Sequence, residues 1–156
     1  MQKSPYYTAE HEAFRETVRR FVANEIEPFA AQWDEAESFP RELYEKASAI
    51  GLLQLDFPAA YGGIEVDHFY GIIASQELAR AGAGGISASL MSHTIGAPPI
   101  ARAGSDALKS RLLPDILAGR KISALAITEP SGGSDVANLK TTARRVGDHY
   151  VVNGSK

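Results

Sequence analysis

A short stretch of hydroxyl side chains and glycines contains the residue types that could do chemistry. It reads Ile127-Thr-Glu-Pro-Ser-Gly-Gly-Ser-Asp135 and continues an apolar run. Because Pro130 cannot donate a ladder hydrogen bond, a strand should end near it. The glycines let a ligand approach the main chain, and Thr128, Ser131 and Ser134 add hydroxyl groups. The pattern predicts either a nest for a phosphate or a heterocycle edge, or only a tight turn.

Three other side chains are candidates for a chemical role. Glu129 is the carboxylate nearest the loop, but we interpret it as a structural contact at the strand end, since no supporting residue can be named for a base. His93 lies among small residues and is interpreted as a core or rim histidine. Trp33 falls on an apolar helical stripe, which indicates packing. The chain has no cysteine, so it has no disulfide, thiol nucleophile or thiolate metal site.

Length, charge and hydropathy narrow the class of protein. The chain has 156 residues, of which 44% are hydrophobic and 22% charged, as in a soluble globular domain. Its net charge is −3 and no basic stripe is present, so nucleic-acid binding is not expected. No apolar run could span a bilayer, and the N-terminal residues lack the apolar core of a secretion signal. We therefore expect a cytoplasmic protein.

Helical patterns occupy the first 120 residues. An N-cap at Thr8 precedes an apolar stripe that continues to Trp33, with a bend expected at Pro28. Four further helices are predicted, from about Pro40 to Gly51, from Asp67 to Arg80, from beyond Gly85 to about Ala103, and from Ser105 to Gly119. The sequence thus predicts a mainly α fold with an N-terminal bundle of about five helices.

The pattern changes at Lys121. Ile122–Thr128, Leu139–Val146 and His149–Val152 are predicted to be strands of an antiparallel β domain. Asn153-Gly154 is a strong hairpin signal that requires a further strand. We therefore expect two domains, a helical one at 1–120 and an incomplete β domain at 121–156, in the front part of a longer protein.

The order of several motifs resembles that of a known family. The helices lead into Ala126-Ile-Thr-Glu-Pro-Ser-Gly-Gly-Ser-Asp135, followed by Thr141-Thr-Ala and Asp148-His-Tyr-Val-Val-Asn-Gly-Ser-Lys156. Further matches are Phe57-Pro-Ala-Ala-Tyr-Gly-Gly63, Gln76-Glu-Leu-Ala-Arg80 and Leu112-Leu-Pro-Asp-Ile-Leu-Ala-Gly119. Together they resemble the acyl-CoA dehydrogenases, flavoproteins that desaturate acyl-CoA thioesters. Gly132 stands where many members have alanine, which is a minor departure.

The resemblance implies a cofactor and a set of residues that bind it. The expected cofactor is FAD, with Leu125, Ala126, Ile127 and Thr128 lining its isoalloxazine ring. Gly133 and Ser134 would approach the FAD phosphates, and Ser134 would also contact the acyl-CoA substrate. No catalytic residue is assigned, because the family's glutamate base belongs to a C-terminal helical domain beyond residue 156.

The resemblance also implies how the whole protein works. It would act in fatty acid metabolism, pass electrons to an electron-transfer flavoprotein or a similar acceptor, and form a homotetramer. Residues 1–156 alone would neither hold FAD tightly nor turn over acyl-CoA. Two alternatives stay open: an acyl-CoA oxidase or flavin monooxygenase of the same architecture, and a non-catalytic helical interaction module.

Overall fold

A computed structural model describes residues 5–156 of the chain. The chain divides into two compact units, Met1–Ala124 and Leu125–Lys156. The first is helical, and the second contains a two-stranded antiparallel sheet. The expected mainly α class, with the first strands of a β domain after the helices, is confirmed. None of the described helices is long and apolar enough to cross a membrane.

The first helix, α1 (Ala9–Glu25), begins and ends as its sequence predicts. Thr8 caps it by accepting a hydrogen bond from the backbone N–H of His11, and acidic residues occupy its first turn, where the helix dipole favours them. A short 3-10 turn around Pro28 separates it from α2 (Ala30–Glu35), so the expected bend at this proline is confirmed.

Six further helices follow in the first unit. They are α3 (Glu42–Ala49), α4 (His68–Leu78), α5 (Gly84–Leu90), α6 (His93–Gly96), α7 (Pro98–Ala103) and α8 (Asp106–Leu117). Gly51 has a φ of 81° just after α3, as expected for a residue that ends a helix. Ser105 caps α8 through the N–H of Leu108. The last predicted helix of the bundle is therefore confirmed.

The prediction of one continuous helix between Gly85 and Ala103 was wrong. This stretch is divided into α5, α6 and α7. Pro98 and Pro99 lack the N–H groups that would bond the carbonyls four residues earlier, so a helix cannot pass through them unbroken. Pro98 instead occupies the start of α7, where a missing N–H costs nothing.

The main core of the first unit lies where α1, α3, α4 and α5 meet. It contains buried aliphatic and aromatic residues, among them Val18, Val22, Ile26, Leu52, Leu53 and Leu90. Trp33 packs against this cluster at its edge, which confirms its interpretation as a packing residue. A second buried cluster joins Phe57 to α8 residues Leu113 and Leu117.

The second unit contains a hairpin. Strands β1 (Thr142–Val146) and β2 (His149–Asn153) pair antiparallel, with Ala143 opposite Val152, and Gly147 has a φ of 64° in the turn. The first of these strands begins three residues later than predicted. Ile122–Thr128 was predicted to be a strand, and this was wrong, because a strand needs a neighbour and none pairs with this segment in the described part of the chain. No regular strand precedes residue 110 within residues 5–156, as expected.

Candidate functional site

The segment Leu125–Thr128 belongs to no helix or strand, and its side chains are exposed. Leu125 is 46% exposed and Ile127 38%, unusually high for large apolar side chains. Within residues 5–156, only the carbonyl of Ile127 among this segment's backbone groups has a hydrogen-bond partner. Backbone groups that leave water need partners, so this segment can pair with another strand or with a ligand.

A tight turn follows the segment. The N–H and carbonyl of Glu129 pair with the carbonyl and N–H of Gly132 at 2.9 and 3.0 Å. The turn brings Gly133 back to Thr128, since a Cβ built on Gly133 would lie 3.6 Å from the Thr128 methyl group. Neither Gly132 nor Gly133 has a positive φ, so their freedom to adopt unusual backbone angles is not used here. Their small size is what leaves the main chain accessible.

Five of the six sequence-predicted cofactor residues are thus continuous or adjacent in space. Leu125, Ala126, Ile127 and Thr128 form the exposed segment, and Gly133 lies against its last residue. Ser134 is exposed two residues beyond the turn. The arrangement offers apolar side chains, hydroxyl groups and open backbone groups within one short stretch of chain.

Glu129 is buried at 6% exposure and organises the second unit. Its carboxylate accepts hydrogen bonds from the N–H groups of Lys140 (2.6 Å) and Thr141 (3.0 Å) and lies 3.1 Å from Nζ of Lys156. The hydrogen bond from Lys140, with those from Thr141 and Lys156, lowers the pKa of Glu129 to about 2. Because the carboxylate is saturated with donors, it is a poor base, and its structural interpretation is confirmed.

His93 lies in the first unit and stacks on Phe57 with ring centroids 5.9 Å apart. It is buried, and burial lowers its pKa, so the ring is neutral at neutral pH. Its Nδ1 has no hydrogen-bond partner in the described part of the chain. The expected core position of His93 is confirmed, whereas its expected full hydrogen bonding is not.

Sequence reasoning missed a cavity of about 810 Å³ in the first unit. Its lining includes Leu52, Phe57, Ile72, Met91, His93 and Arg102. These residues come from α4, α6, α7 and the connections between helices, so no local pattern points to them. Within residues 5–156, no group of three or more His, Asp or Glu side chains could hold a metal ion.

Two family models divide the chain between them. The model of the acyl-CoA dehydrogenase N-terminal domain matches residues 8–120, and that of the acyl-CoA dehydrogenase middle domain matches residues 124–156. The chain belongs to the acyl-CoA dehydrogenase family. Acyl-CoA dehydrogenases are flavin-dependent oxidoreductases. The family expected from the motifs is therefore confirmed.

Two curated acyl-CoA dehydrogenases illustrate the similarity. The long-chain specific acyl-CoA dehydrogenase of Sus scrofa is 38% identical over 150 residues, which cover 96% of this chain and 35% of the relative. The short-chain specific acyl-CoA dehydrogenase of Clostridium acetobutylicum is 39% identical over 150 residues, 96% of this chain and 39% of the relative. The chain thus spans little more than a third of the length of these relatives.

Solved acyl-CoA dehydrogenase structures share the fold. One from Mycobacterium smegmatis superimposes with a TM-score of 0.91 at 45% identity, over 97% of this chain and 40% of that one. One from Bacillus anthracis, complexed with FAD, gives a TM-score of 0.87 at 34% identity, over 97% of this chain and 27% of that one.

Proposed function

We propose that residues 1–120 form the N-terminal helical domain of an FAD-dependent acyl-CoA dehydrogenase, and residues 121–156 the start of its middle β domain. The reaction would introduce a double bond between the α and β carbons of an acyl-CoA thioester. The observation that carries the proposal is the segment Leu125–Thr128, whose apolar side chains are exposed and whose backbone groups are mostly unpaired in the described part of the chain. A flat, largely apolar ring with polar edges fits such a surface.

The residues of this segment suit the parts of FAD. Leu125, Ala126 and Ile127 would lie along the isoalloxazine ring, and Thr128 would offer its hydroxyl to a ring edge. Gly133 leaves room for a phosphate to approach the main chain, and Ser134 would donate to a phosphate or to the thioester. When bound, FAD supplies the hydride acceptor for the β carbon. The chain's own residues bind and orient it.

The general base must come from elsewhere. Glu129 is the carboxylate next to the segment, and its oxygens are already bonded to two N–H groups and an ammonium. A base has to reach the proton that it removes, and the oxygens of Glu129 are already engaged by these donors. We therefore place the base beyond residue 156 and expect residues 1–156 alone to be inactive.

Partners follow from the same proposal. An acyl-CoA would be the substrate, and an electron-transfer flavoprotein or a similar acceptor would reoxidise the flavin. A solved neighbour from Acidaminococcus fermentans, with a TM-score of 0.87 and 29% identity, carries the name electron transferring flavoprotein in its description. The two curated relatives differ in their named chain length at nearly equal identity, so the proposal specifies no chain length. A cytoplasmic homotetramer remains part of the proposal.

The decisive experiment uses the complete gene product that contains this chain. It should purify yellow, with about one flavin per chain, and an acyl-CoA should bleach the flavin absorbance near-completely under anaerobic conditions. Rapid reoxidation by oxygen with release of hydrogen peroxide would favour the oxidase alternative instead. A colourless protein that takes up no FAD would contradict the proposal.

A further inference from the structure

Lys156 contacts the candidate cofactor segment directly. Its Nζ donates a hydrogen bond of 2.9 Å to the carbonyl oxygen of Ile127 and lies 3.1 Å from Oε1 of Glu129. The ammonium is the only partner of this segment's backbone in the described residues. A single side chain therefore connects a buried carboxylate to the main chain of a proposed flavin-lining residue.

The carbonyl of Ile127 and the N–H of Thr128 belong to one planar trans peptide group. In such a group the C=O and N–H bonds point in opposite directions. Fixing the carbonyl of Ile127 toward Lys156 therefore fixes the N–H of Thr128 on the other side. Within residues 5–156 that N–H has no backbone partner.

Glu129 determines where the ammonium of Lys156 lies. The carboxylate is itself fixed by the N–H groups of Lys140 and Thr141, and only 3% of its side chain is exposed. A charge-assisted contact to a fixed, buried carboxylate is stronger and better oriented than one on the surface. A continuous series of contacts thus lies inside the second unit. It begins at the N–H groups of Lys140 and Thr141, passes through the Glu129 carboxylate and the Lys156 ammonium, and ends at the carbonyl of Ile127.

We propose that Lys156, fixed by Glu129, is a positioning residue that orients the Ile127–Thr128 peptide group so that the Thr128 N–H faces the flavin. The inference rests on the proposed function. Lys156 itself need not touch the flavin. Its effect passes through the peptide plane, and it should alter how the flavin is held and polarised more than whether the protein folds.

The test compares three variants of the complete, flavin-loaded protein. Lys156→Met removes the charge and keeps the length, Lys156→Arg keeps a cationic donor, and Lys140→Met is the matched control. Lys140 contributes only its backbone N–H to Glu129. Lys156→Met should weaken FAD binding on the order of tenfold, the loss of about one charge-assisted hydrogen bond, and shift the flavin absorption bands. Lys156→Arg should recover part of both, and the control should match wild type.

The outcomes separate the inference from the function on which it rests. A Lys156→Met protein with wild-type FAD affinity and spectrum would overturn the inference, whether or not its melting temperature falls. A wild-type protein that binds no FAD would overturn the proposed function and the inference with it. Should Lys156→Met fail to fold, Glu129→Gln removes the charge that fixes Lys156, and the same weaker binding and shifted spectrum are then required of it.

Discussion

Nε2 of His11 lies 3.0 Å from Oδ1 of Asp67 and so joins the beginnings of α1 and α4. Nδ1 of the same ring accepts a 3.0 Å hydrogen bond from the N–H of Thr8, the cap residue of α1. Asp67 in turn caps α4 by accepting from the N–H of Phe69 at 2.9 Å. Because Nδ1 is an acceptor, the proton must be on Nε2, and one buried imidazole links two helix caps.

Replacing His11 should therefore destabilise the helical unit. His11→Leu keeps most of the volume and leaves the Thr8 N–H and the Asp67 carboxylate without their partner. We expect the free energy of unfolding to fall by about 1–3 kcal/mol. Urea denaturation followed by circular dichroism measures this. His149→Leu is the control, since the His149 side chain is exposed and its ring bonds to Asp148, its neighbour in the chain. Equal losses in both variants would contradict the special role of His11.

Acid should act on the second unit through Glu129. Its folded pKa of about 2 is below its ordinary value of 4.5, chiefly because of the hydrogen bond from Lys140 and those from Thr141 and Lys156. A depressed carboxyl pKa contributes stability that is complete above the unfolded pKa and is lost as the pH falls through the folded one. The hairpin should thus lose stability between roughly pH 4.5 and pH 2.

The amide proton of Lys140 reports this titration directly. Its NMR chemical shift should move with a midpoint near pH 2 and stay nearly constant around pH 4.5. The Glu129→Gln variant, which cannot ionise, should lack the transition. A wild-type midpoint at the ordinary glutamate value would show that the three donors do not hold the carboxylate in solution.

Thr128 and Ser134 test the candidate site. In the complete protein, Thr128→Val keeps the shape and removes the hydroxyl, which should cost on the order of 1–3 kcal/mol of stabilisation of the bound or reduced flavin. Stopped-flow reduction and FAD titration measure the effect. Ser134→Ala should weaken FAD or acyl-CoA binding with folding nearly unchanged, because Ser134 is exposed. If both variants behave like wild type in both assays, the loop is only a turn and the site assignment is wrong.

Two glycines in the first unit should respond to alanine in opposite ways. A Cβ at Gly63 would overlap the backbone carbonyl of Phe57, so Gly63→Ala should cost about 1–3 kcal/mol of stability. Gly71 is in the interior of α4 with nothing within 4 Å of an added Cβ. Gly71→Ala should therefore gain roughly 0.5–1 kcal/mol, because alanine favours a helix. Thermal denaturation of both variants measures these changes in stability. A destabilised Gly71→Ala variant would contradict the helix argument.

Local signals predicted the features that depend on local contacts. The Thr8 and Ser105 caps and the bend at Pro28 each involve residues within a few positions of one another. The predicted fourth helix failed at a local signal, since Pro98 and Pro99 separate α6 from α7. The Ile122–Thr128 strand failed for another reason, since an apolar run indicates a strand only if a neighbouring strand pairs with it.

Long-range contacts could not be predicted. Glu129 bonds to a residue 11 positions away, Lys156 to one 29 positions away, and His11 to one 56 positions away. Nothing in the periodicity of the chain encodes these partners. The candidate segment itself was found from its residue types and its resemblance to a family, whereas the network that fixes it required coordinates.

The exposure of the hairpin implies an order of events when the chain folds. Every residue of β1 and β2 is exposed on both faces, and a lone two-stranded sheet is marginally stable in water. The helical unit has a buried core, and helical domains fold faster than sheets on average. On a ribosome, the helices should therefore be folded while the hairpin still opens and closes. Trypsin added to such chains should cut first at Arg144 and Arg145 and leave the helical unit as the resistant product.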